Sequence, residues 1–492
     1  MFEAAEVGNS LDKAQYKKAA AKLRVDLLQA QKELAESDFS LVVIVAGVEG
    51  AGKTSFANLF LSWVDAHGVE THALGEPSDE ERERPRFWRF WRILPARGRT
   101  ALLLSSWYTR GIIDRAFKRM KTPEFDQVLD RIVDFERMLS REKTLVVKLW
   151  FHISKREQYK RFRALSKNRD TRSRVTAEDW KFHKSYDRFR KICEHALMKT
   201  STAEAPWQIV EATDKHYRNA TAARLILEAL RGRIKDRGAQ ELAKERVPDR
   251  PKPKPNNVIR KLDLGLALDD KVFEKKLGKL QGRLGELTQR LRRDKRSLIL
   301  AFEGPDAAGK GGAIRRITQA MDARLYRVDS IAAPTDEEKS HPYLWRFWRA
   351  LPREGTVTLY DRSWYGRVLV ERIEGFAAPA EWQRAYAEIN AFEEQLTDFG
   401  TIVLKFWISI SQEEQLRRFK DREETPYKQY KLTQEDWRNR EKFGAYEAAA
   451  CEMIERTSTE KAPWVLVEGN DKKWARIKVL KAVVDRLSSE LV

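Results

Sequence analysis

The sequence predicts two tandem α/β domains, each a parallel β-sheet flanked by helices and covered by a basic helical lid. Three observations predict it. The chain repeats itself at a constant offset, short continuous apolar runs alternate with helical stretches in both copies, and one glycine-rich loop pattern recurs at the same place in each.

The repeat decides the architecture. Lys53 in "GVEGAGKTS" and Lys310 in "GPDAAGKGG" stand 257 positions apart, and that offset carries "RFWRILP" at 89 onto "RFWRALP" at 346 and "SWYTR" at 106 onto "SWYGR" at 363. It also carries "KLWFHIS" at 148 onto "KFWISIS" at 405 and "TSTAEAPW" at 200 onto "TSTEKAPW" at 457 without an insertion. So many tryptophan-containing words in register mean a duplicated domain. The expected boundaries are 1–244 and 263–492, separated by a linker over 245–262. That linker holds "ERVPDRPKPKPNN", where four prolines in eight positions remove backbone donors and favour extended chain.

Each copy opens on a long helical pattern. Tyr16, Ala20, Leu23, Leu27, Ala30 and Leu34 alternate spacings of four and three, as do Phe273, Leu277, Leu280, Leu284, Leu287 and Leu291. Three heptads are marginal for an independent coiled coil, so each is expected to pack on its own domain. The strands follow as "SLVVIVA" at 40, "TALLL" at 100, "TLVVKLWF" at 144 and "PWQIVE" at 206. Their counterparts are "SLILAFE" at 297, "TVTLY" at 356, "TIVLKFWI" at 401 and "PWVLVE" at 463. Continuous apolar strands separated by helices belong to a parallel sheet covered on both faces. The arginine-tryptophan words "FWRFWRILP" and "LWRFWRALP" suit core helices, although Arg346 and Arg349 on the other face could meet phosphate or a neighbouring acid. Trp364 and Tyr365 carry the same ambiguity.

The loop after the first strand of each copy is a phosphate-binding loop. A strand running into Gly-x-x-x-x-Gly-Lys and then a helix presents backbone N–H groups and a helix N-terminus to an anion, while the lysine ammonium neutralises charge. In the second copy Gly304, Ala308, Gly309, Lys310, Gly311 and Gly312 are expected to surround phosphate. The pattern asks for Ser or Thr after the lysine, to reach magnesium, and here stands Gly311. Magnesium needs only one or two carboxylates besides phosphate oxygens, so Asp306 in the loop and Asp361 at the end of "TVTLYD" can replace the hydroxyl if their strands are neighbours. Asp361 could also cap the helix that begins "RSWYGR". The first copy retains Thr54 but has Leu104 and Ser105 where the second has Asp361 and Arg362, and Glu49 where the second has Asp306. Phosphoryl transfer is chiefly positioning and charge neutralisation, so chemistry is expected in the second copy and the first is expected to be impaired.

Composition agrees with a polyanionic partner. The chain has 492 residues with 42% hydrophobic content, and its 94 Lys and Arg against 74 Asp and Glu leave a net charge of +20. Two cysteines make no disulfide framework, the opening residues lack the order of a signal peptide, and no apolar run approaches membrane-spanning length. A cytoplasmic location without membrane association is expected.

"GPDAAGKGGAIRR", "PTDEEKSHPYLWRFWRALP", "YDRSWYGRVLVER", "LTQEDW" and "TEKAPWVLVEGNDKKWAR" together resemble the polyphosphate kinase 2 family, and the tandem arrangement is similar to its two-domain members that use AMP. The resemblance is strong over 297–487 and decayed over 40–230. It implies magnesium-dependent transfer of the terminal phosphoryl group of inorganic polyphosphate to AMP, giving ADP. Asp306 and Lys310 would hold phosphate and metal, Asp361 would bind metal or orient the acceptor, Arg362 would stabilise the moving charge, and Glu371 is a further candidate for metal or nucleotide. In the segment after "FWISIS", Arg417, Arg418, Lys420, Arg422, Lys428 and Lys431 crowd together as a cationic lid over polyphosphate would require, although a solvated helix face has the same look. ADP or GDP as acceptor, or ATP as the donor of a nucleoside monophosphate kinase, stay open on these residues. Nucleic acid is disfavoured because no nucleic-acid module is recognisable.

Overall fold

The computed structural model describes residues 1–242 and 257–491. Positions 245–256 of the expected linker lie outside the described residues. The chain divides into two compact units, one formed by Met1–Ser78, Phe87–Glu245 and Pro334–Arg349, the other by Asp79–Arg86, Arg246–Ala333 and Ala350–Val492.

Each unit is built on a five-stranded sheet. In the first unit the strands are β1 (Ser40–Gly47), β2 (Val69–His72), β3 (Thr100–Leu103), β4 (Thr144–His152) and β5 (Trp207–Glu211), in the spatial order β2-β3-β1-β4-β5. In the second they are β6 (Leu298–Glu303), β7 (Tyr326–Ser330), β8 (Val357–Asp361), β9 (Ile402–Ser409) and β10 (Trp464–Glu468), in the order β7-β8-β6-β9-β10. Every pairing is parallel. The strands β6 and β9 are buried along their whole length, and β1, β4 and β8 nearly so, because helices cover both faces, which is why they read as unbroken apolar runs. The edge strands β2 and β7 escape that reading. They are four and five residues long, mostly exposed, and in β7 carry Arg327 and Asp329.

The opening helices run over Lys13–Ala35 and Asp270–Arg293, each capped by an aspartate, Asp12 or Asp269. In the second unit Leu284, Leu287 and Leu291 enter the core with the sheet and with Val479, Leu480 and Leu487 of the terminal helix Lys472–Glu490. The arginine-tryptophan words are core. In the first unit Trp348 stacks on Trp91 at 5.6 Å, both nearly inaccessible, while Arg346 and Arg349 pair with Glu338 and Glu337. No helix among the described residues is long and apolar enough to cross a membrane. Cys193 and Cys451 are both buried and unpaired.

A buried ionic cluster is repeated in both units. Lys405 on β9 donates to Glu393 at 2.6 Å, to the Tyr365 hydroxyl at 2.9 Å and to the Thr457 carbonyl at 2.7 Å, while Trp364 and Tyr365 both donate to Glu393. Lys148, Glu136, Tyr108, Trp107 and Thr200 make the same set in the first unit. Burial raises the Glu393 carboxyl and lowers the Lys405 ammonium, and their mutual attraction opposes both shifts. Trp364 and Tyr365 are therefore structural: they anchor the chain that leaves β8 immediately after Asp361.

Candidate active site

The sheet order places the loop strand β6 beside β8, with Phe302 opposite Asp361 in the register, so the phosphate loop and the acidic strand end meet at the same edge. Strand order reverses at this pair, and an open α/β sheet leaves a crevice there at the carboxyl ends of its strands. The loop turns at Gly304, whose φ is +146° and whose hypothetical Cβ would come 2.4 Å from the Ile408 carbonyl; no side chain fits so close to β9. The helix Lys310–Thr318 then begins on Gly309, itself left-handed.

Lys310 is 8% exposed and donates to the carbonyls of Gly304 at 2.8 Å and Pro305 at 3.2 Å, spanning the loop's mouth. Burial, and then the neighbouring Arg362, draw its ammonium below the ordinary range, against the pull of Asp306, Asp361 and Glu303. Asp306 accepts from Arg362 Nη2 at 2.5 Å on one oxygen and from Asn439 Nδ2 at 2.9 Å on the other. Arg362 has φ +63°, and its backbone N–H reaches the Phe302 carbonyl at 3.0 Å. Burial works to lower the Arg362 guanidinium, and the carboxylates of Asp306 and Glu303 more than offset it. The structure thus brings Asp306, Lys310, Asp361 and Arg362 to one end of the sheet.

Gly311 answers the question raised by its missing hydroxyl. A Cβ built there would lie 3.9 Å from Asp361 Oδ2, so the Asp361 carboxylate stands beside the place where a Ser or Thr would project. The Asp361 carboxylate has no hydrogen-bond or ion-pair partner among the described residues, whereas both oxygens of the Asp306 carboxylate are engaged. Among the described residues there is no group of three or more His, Cys, Asp or Glu arranged to hold a metal by themselves. One available carboxylate beside a phosphate cradle fits magnesium, which takes much of its coordination from phosphate and water.

Two further residues join the site that sequence reasoning did not single out. Glu303, at the end of β6, is buried and accepts from Ser363 Oγ at 2.8 Å, bracing the turn that holds Arg362; burial raises its carboxyl. Asn439 ties the helix Gln434–Glu441 to Asp306. A signal for both existed: at the 257 offset Glu303 faces Ala46 and Asn439 faces Phe182. Gln415, which donates to the Asp306 carbonyl at 3.1 Å, is shared with the first copy as Gln158.

The cationic segment divides by role. Arg418 is 3% exposed in its side chain and donates to the carbonyls of Ala307, Ala308, Gly469 and Asn470, and to Glu414, so it braces the loop instead of facing solvent. Arg417 is exposed between Glu414 and Asp421, Lys420 is exposed, and Arg422 borders the loop's second half. The side chains of Lys428 and Lys431 lie outside those described. Glu371 pairs with Arg367 at 3.1 Å and does not line the cavity next to the loop. That cavity is lined by Asp306, Arg362 and Asn439 and by the apolar side chains of Ile259, Leu369 and Trp407.

In the first unit the matching cavity is bordered by Ala46, Leu104, Ile113 and Phe182, and Lys53 is paired with Glu49 at 3.0 Å. Ser105, in place of Arg362, donates to the Leu74 carbonyl.

The Gly-x-x-x-x-Gly-Lys loop of the second repeat, with the Asp361 carboxylate and the Arg362 guanidinium beside it at the end of a parallel sheet, is the arrangement of a kinase-type transferase. The chain belongs to the polyphosphate kinase 2 family, whose model, described as "Polyphosphate kinase 2 (PPK2)", matches residues 10–238 and 267–492. It is 47% identical over 99% of both chains to the polyphosphate:AMP phosphotransferase of Pseudomonas aeruginosa, and 42% identical over 99% of this chain and 98% of the other to that of Pseudomonas syringae pv. tomato. A GDP-polyphosphate phosphotransferase of Mycobacterium tuberculosis is 39% identical over 43% of this chain and 72% of its own. Among solved structures, a crystal structure described as a polyphosphate kinase 2 from Pseudomonas aeruginosa matches with a TM-score of 0.89 and 46% identity, covering 100% of this chain and 99% of that one.

Proposed function

We propose that the second repeat transfers the terminal phosphoryl group of inorganic polyphosphate to AMP, giving ADP and a chain one phosphate shorter. The observation that carries this reading is a phosphate loop, with Asp361 and Arg362 at its mouth, next to a cavity lined by both charged and apolar side chains, as a nucleoside phosphate requires. Full-length likeness to two polyphosphate:AMP phosphotransferases supports AMP over ADP or GDP.

In this reading the loop N–H groups and Lys310 hold the donor's terminal phosphates, Lys310 exchanging its two carbonyl partners for phosphate oxygens. An oxygen of the AMP phosphate attacks the terminal phosphorus as the bridging P–O bond breaks; this oxygen is already ionised, so no side chain need remove a proton. Arg362, oriented by Asp306 and Glu303, neutralises charge on the group in flight. Asp361, with Asp306 as a second carboxylate, would hold magnesium, which when bound would supply neutralisation of phosphate charge. The site lies in a chain with no apolar membrane-crossing helix among the described residues, and we place it in the cytoplasm.

The deciding experiment is incubation of the protein with AMP, Mg²⁺ and polyphosphate in the absence of ATP, with nucleotides separated by chromatography. ADP is expected, and a panel of ADP, GDP and GMP in place of AMP orders the acceptors. ADP formed with ATP as donor but not with polyphosphate would make the protein a nucleoside monophosphate kinase instead.

Two predictions concern the first repeat. Lys53→Ala is expected to retain more than about half of the turnover, because losing a loop lysine costs charge stabilisation only where transfer occurs; a loss equal to that of Lys310→Ala would mean that both loops are needed. In a Lys310→Ala background, Leu104→Asp with Ser105→Arg is expected to produce no ADP above background, since Phe182 and Ala46 leave the new pair without the counterparts of Asn439 and Glu303. Recovered activity would show that two positions alone account for the decay.

A further inference from the structure

A chain of polar contacts runs from the phosphate loop into the helices beside it. Asp306 accepts from Asn439 Nδ2 at 2.9 Å, Asn439 Oδ1 accepts from the Tyr446 hydroxyl at 3.3 Å, and that hydroxyl also lies 3.4 Å from Glu374 Oε1. Glu374 closes the short helix Val370–Ile373, and its side chain, 6% exposed, is held by Lys442 at 3.0 Å and Arg438 at 3.3 Å. It thereby ties the helices Gln434–Glu441 and Phe443–Thr457, with the lysine between them, to the segment that follows Asp361 and Arg362.

Donors and acceptors along this chain have a fixed order. The carboxylates of Asp306 and Glu374 only accept, and the Asn439 amide, standing between a hydroxyl and a carboxylate, satisfies both in one orientation; reversed, its oxygen would face that of Asp306. Burial, and then the charges of Glu374 and Asp306, hold the Tyr446 hydroxyl above its ordinary range, so it stays a donor.

The first repeat shows what stands there without the polar groups. At the 257 offset Glu374, Asn439 and Tyr446 are matched by Phe117, Phe182 and Phe189, and these rings pack edge to face, Phe182 being 5.2 Å from Phe117 and 5.7 Å from Phe189. With no amide to hold it, Glu49, the counterpart of Asp306, pairs with the loop lysine Lys53 at 3.0 Å. Lys310 donates to two carbonyls and, among the described residues, to no carboxylate. Arg362 also keeps a left-handed backbone, φ +63°, that Ser105 does not adopt, and such a conformation persists where its surroundings over-determine it.

We infer that Glu374, Tyr446 and Asn439 are positioning residues, a relay that keeps the Asp306 carboxylate turned toward Arg362 and away from Lys310, leaving the loop lysine available to phosphate. The inference rests on the second repeat being the one that transfers phosphate. It explains why three separated positions change together from polar to phenylalanine in the repeat that has lost Arg362.

The test measures steady-state transfer from polyphosphate to AMP by the full chain with Mg²⁺. Tyr446→Phe removes one hydroxyl and installs the residue of the first repeat. It is expected to lower kcat about tenfold with KM for AMP within about twofold, because Arg362 acts on charge that develops in the transition state. Asn439→Ala is expected to lower kcat at least as much, and Tyr446→Phe added to it to lower kcat no further, since members of one relay are not additive. Glu374→Gln, which keeps size and an acceptor but not charge, is expected to show a smaller part of the loss. Should Asn439→Ala not fold, Tyr446→Phe with Glu374→Gln takes its place, expected to lose no more than the more impaired single variant. An unchanged kcat, a loss seen only as a raised KM, or losses that multiply in the double variant would overturn the relay. Hydrogen exchange of the peptides that contain Asp306 and Lys310, followed by mass spectrometry, reads the relay without turnover: faster exchange in Tyr446→Phe and Asn439→Ala is expected, and unchanged exchange overturns it. If the unsubstituted protein forms no ADP from polyphosphate, the proposed reaction fails, and the exchange by itself then decides the relay.

Discussion

Asp361→Asn is expected to lower turnover with polyphosphate and AMP by about 10³-fold, some 4 kcal/mol of transition-state stabilisation, while leaving the fold intact. The substitution keeps size and removes charge at the carboxylate that stands 3.9 Å from the Cβ position of Gly311 and has no partner among the described residues. No hydrogen bond in the described structure is lost with it, so the effect should appear in catalysis and in the magnesium requirement, not in thermal stability. Lys310→Ala should fall comparably, because its ammonium is the buried cation at the loop's mouth. Steady-state assays across a magnesium series check both. Near-normal turnover in Asp361→Asn would remove this carboxylate from the mechanism.

Lys405→Met is expected to destabilise the second unit by about 3–5 kcal/mol, because it leaves Glu393 charged and buried without its cation. For a unit of this size that corresponds to a fall of ~10 °C in its unfolding temperature. Adding Glu393→Gln should restore part of the loss, since an amide still accepts from Trp364 and Tyr365 without carrying a charge. Denaturant unfolding of the full chain followed by tryptophan fluorescence measures it, the second unit's transition moving and the first unit's not. A loss below about 1 kcal/mol would mean that water or a rearranged partner compensates Glu393. Activity should fall with stability here, because Trp364 and Tyr365 anchor the chain next to Asp361 and Arg362.

Much of this was legible at fixed spacing. The 257-residue offset identified the duplication, and the unbroken apolar runs identified the central strands, because burial on both faces leaves no polar position to vary. The edge strands Val69–His72 and Tyr326–Ser330 were not legible, since one exposed side of a short strand admits charged residues and erases the pattern. Arg418 shows the same gap among the site residues. Its sequence neighbours Arg417 and Lys420 are exposed, and it alone of the three turns inward to bind four backbone carbonyls of the loop and its neighbour. Helical spacing of one residue, about 100°, separates those fates, and the sequence does not say which way the helix faces.

The amino-acid order by itself determined that the fold is doubled, that each copy carries a Gly-x-x-x-x-Gly-Lys loop, and that Asp361 and Arg362 distinguish the second copy from the first. These are local facts of residue type and spacing. Tertiary structure decided the rest: that Asp361 stands beside Gly311, that Glu303 holds Ser363 and Asn439 holds Asp306 on either side of Arg362, and that Arg422, Lys472 and Arg476 line an open cavity behind the loop in one copy where the other holds the buried Arg218. Those outcomes depend on which distant side chains share a desolvated space, where charge and hydrogen bonding count most, and no separation along the chain encodes that.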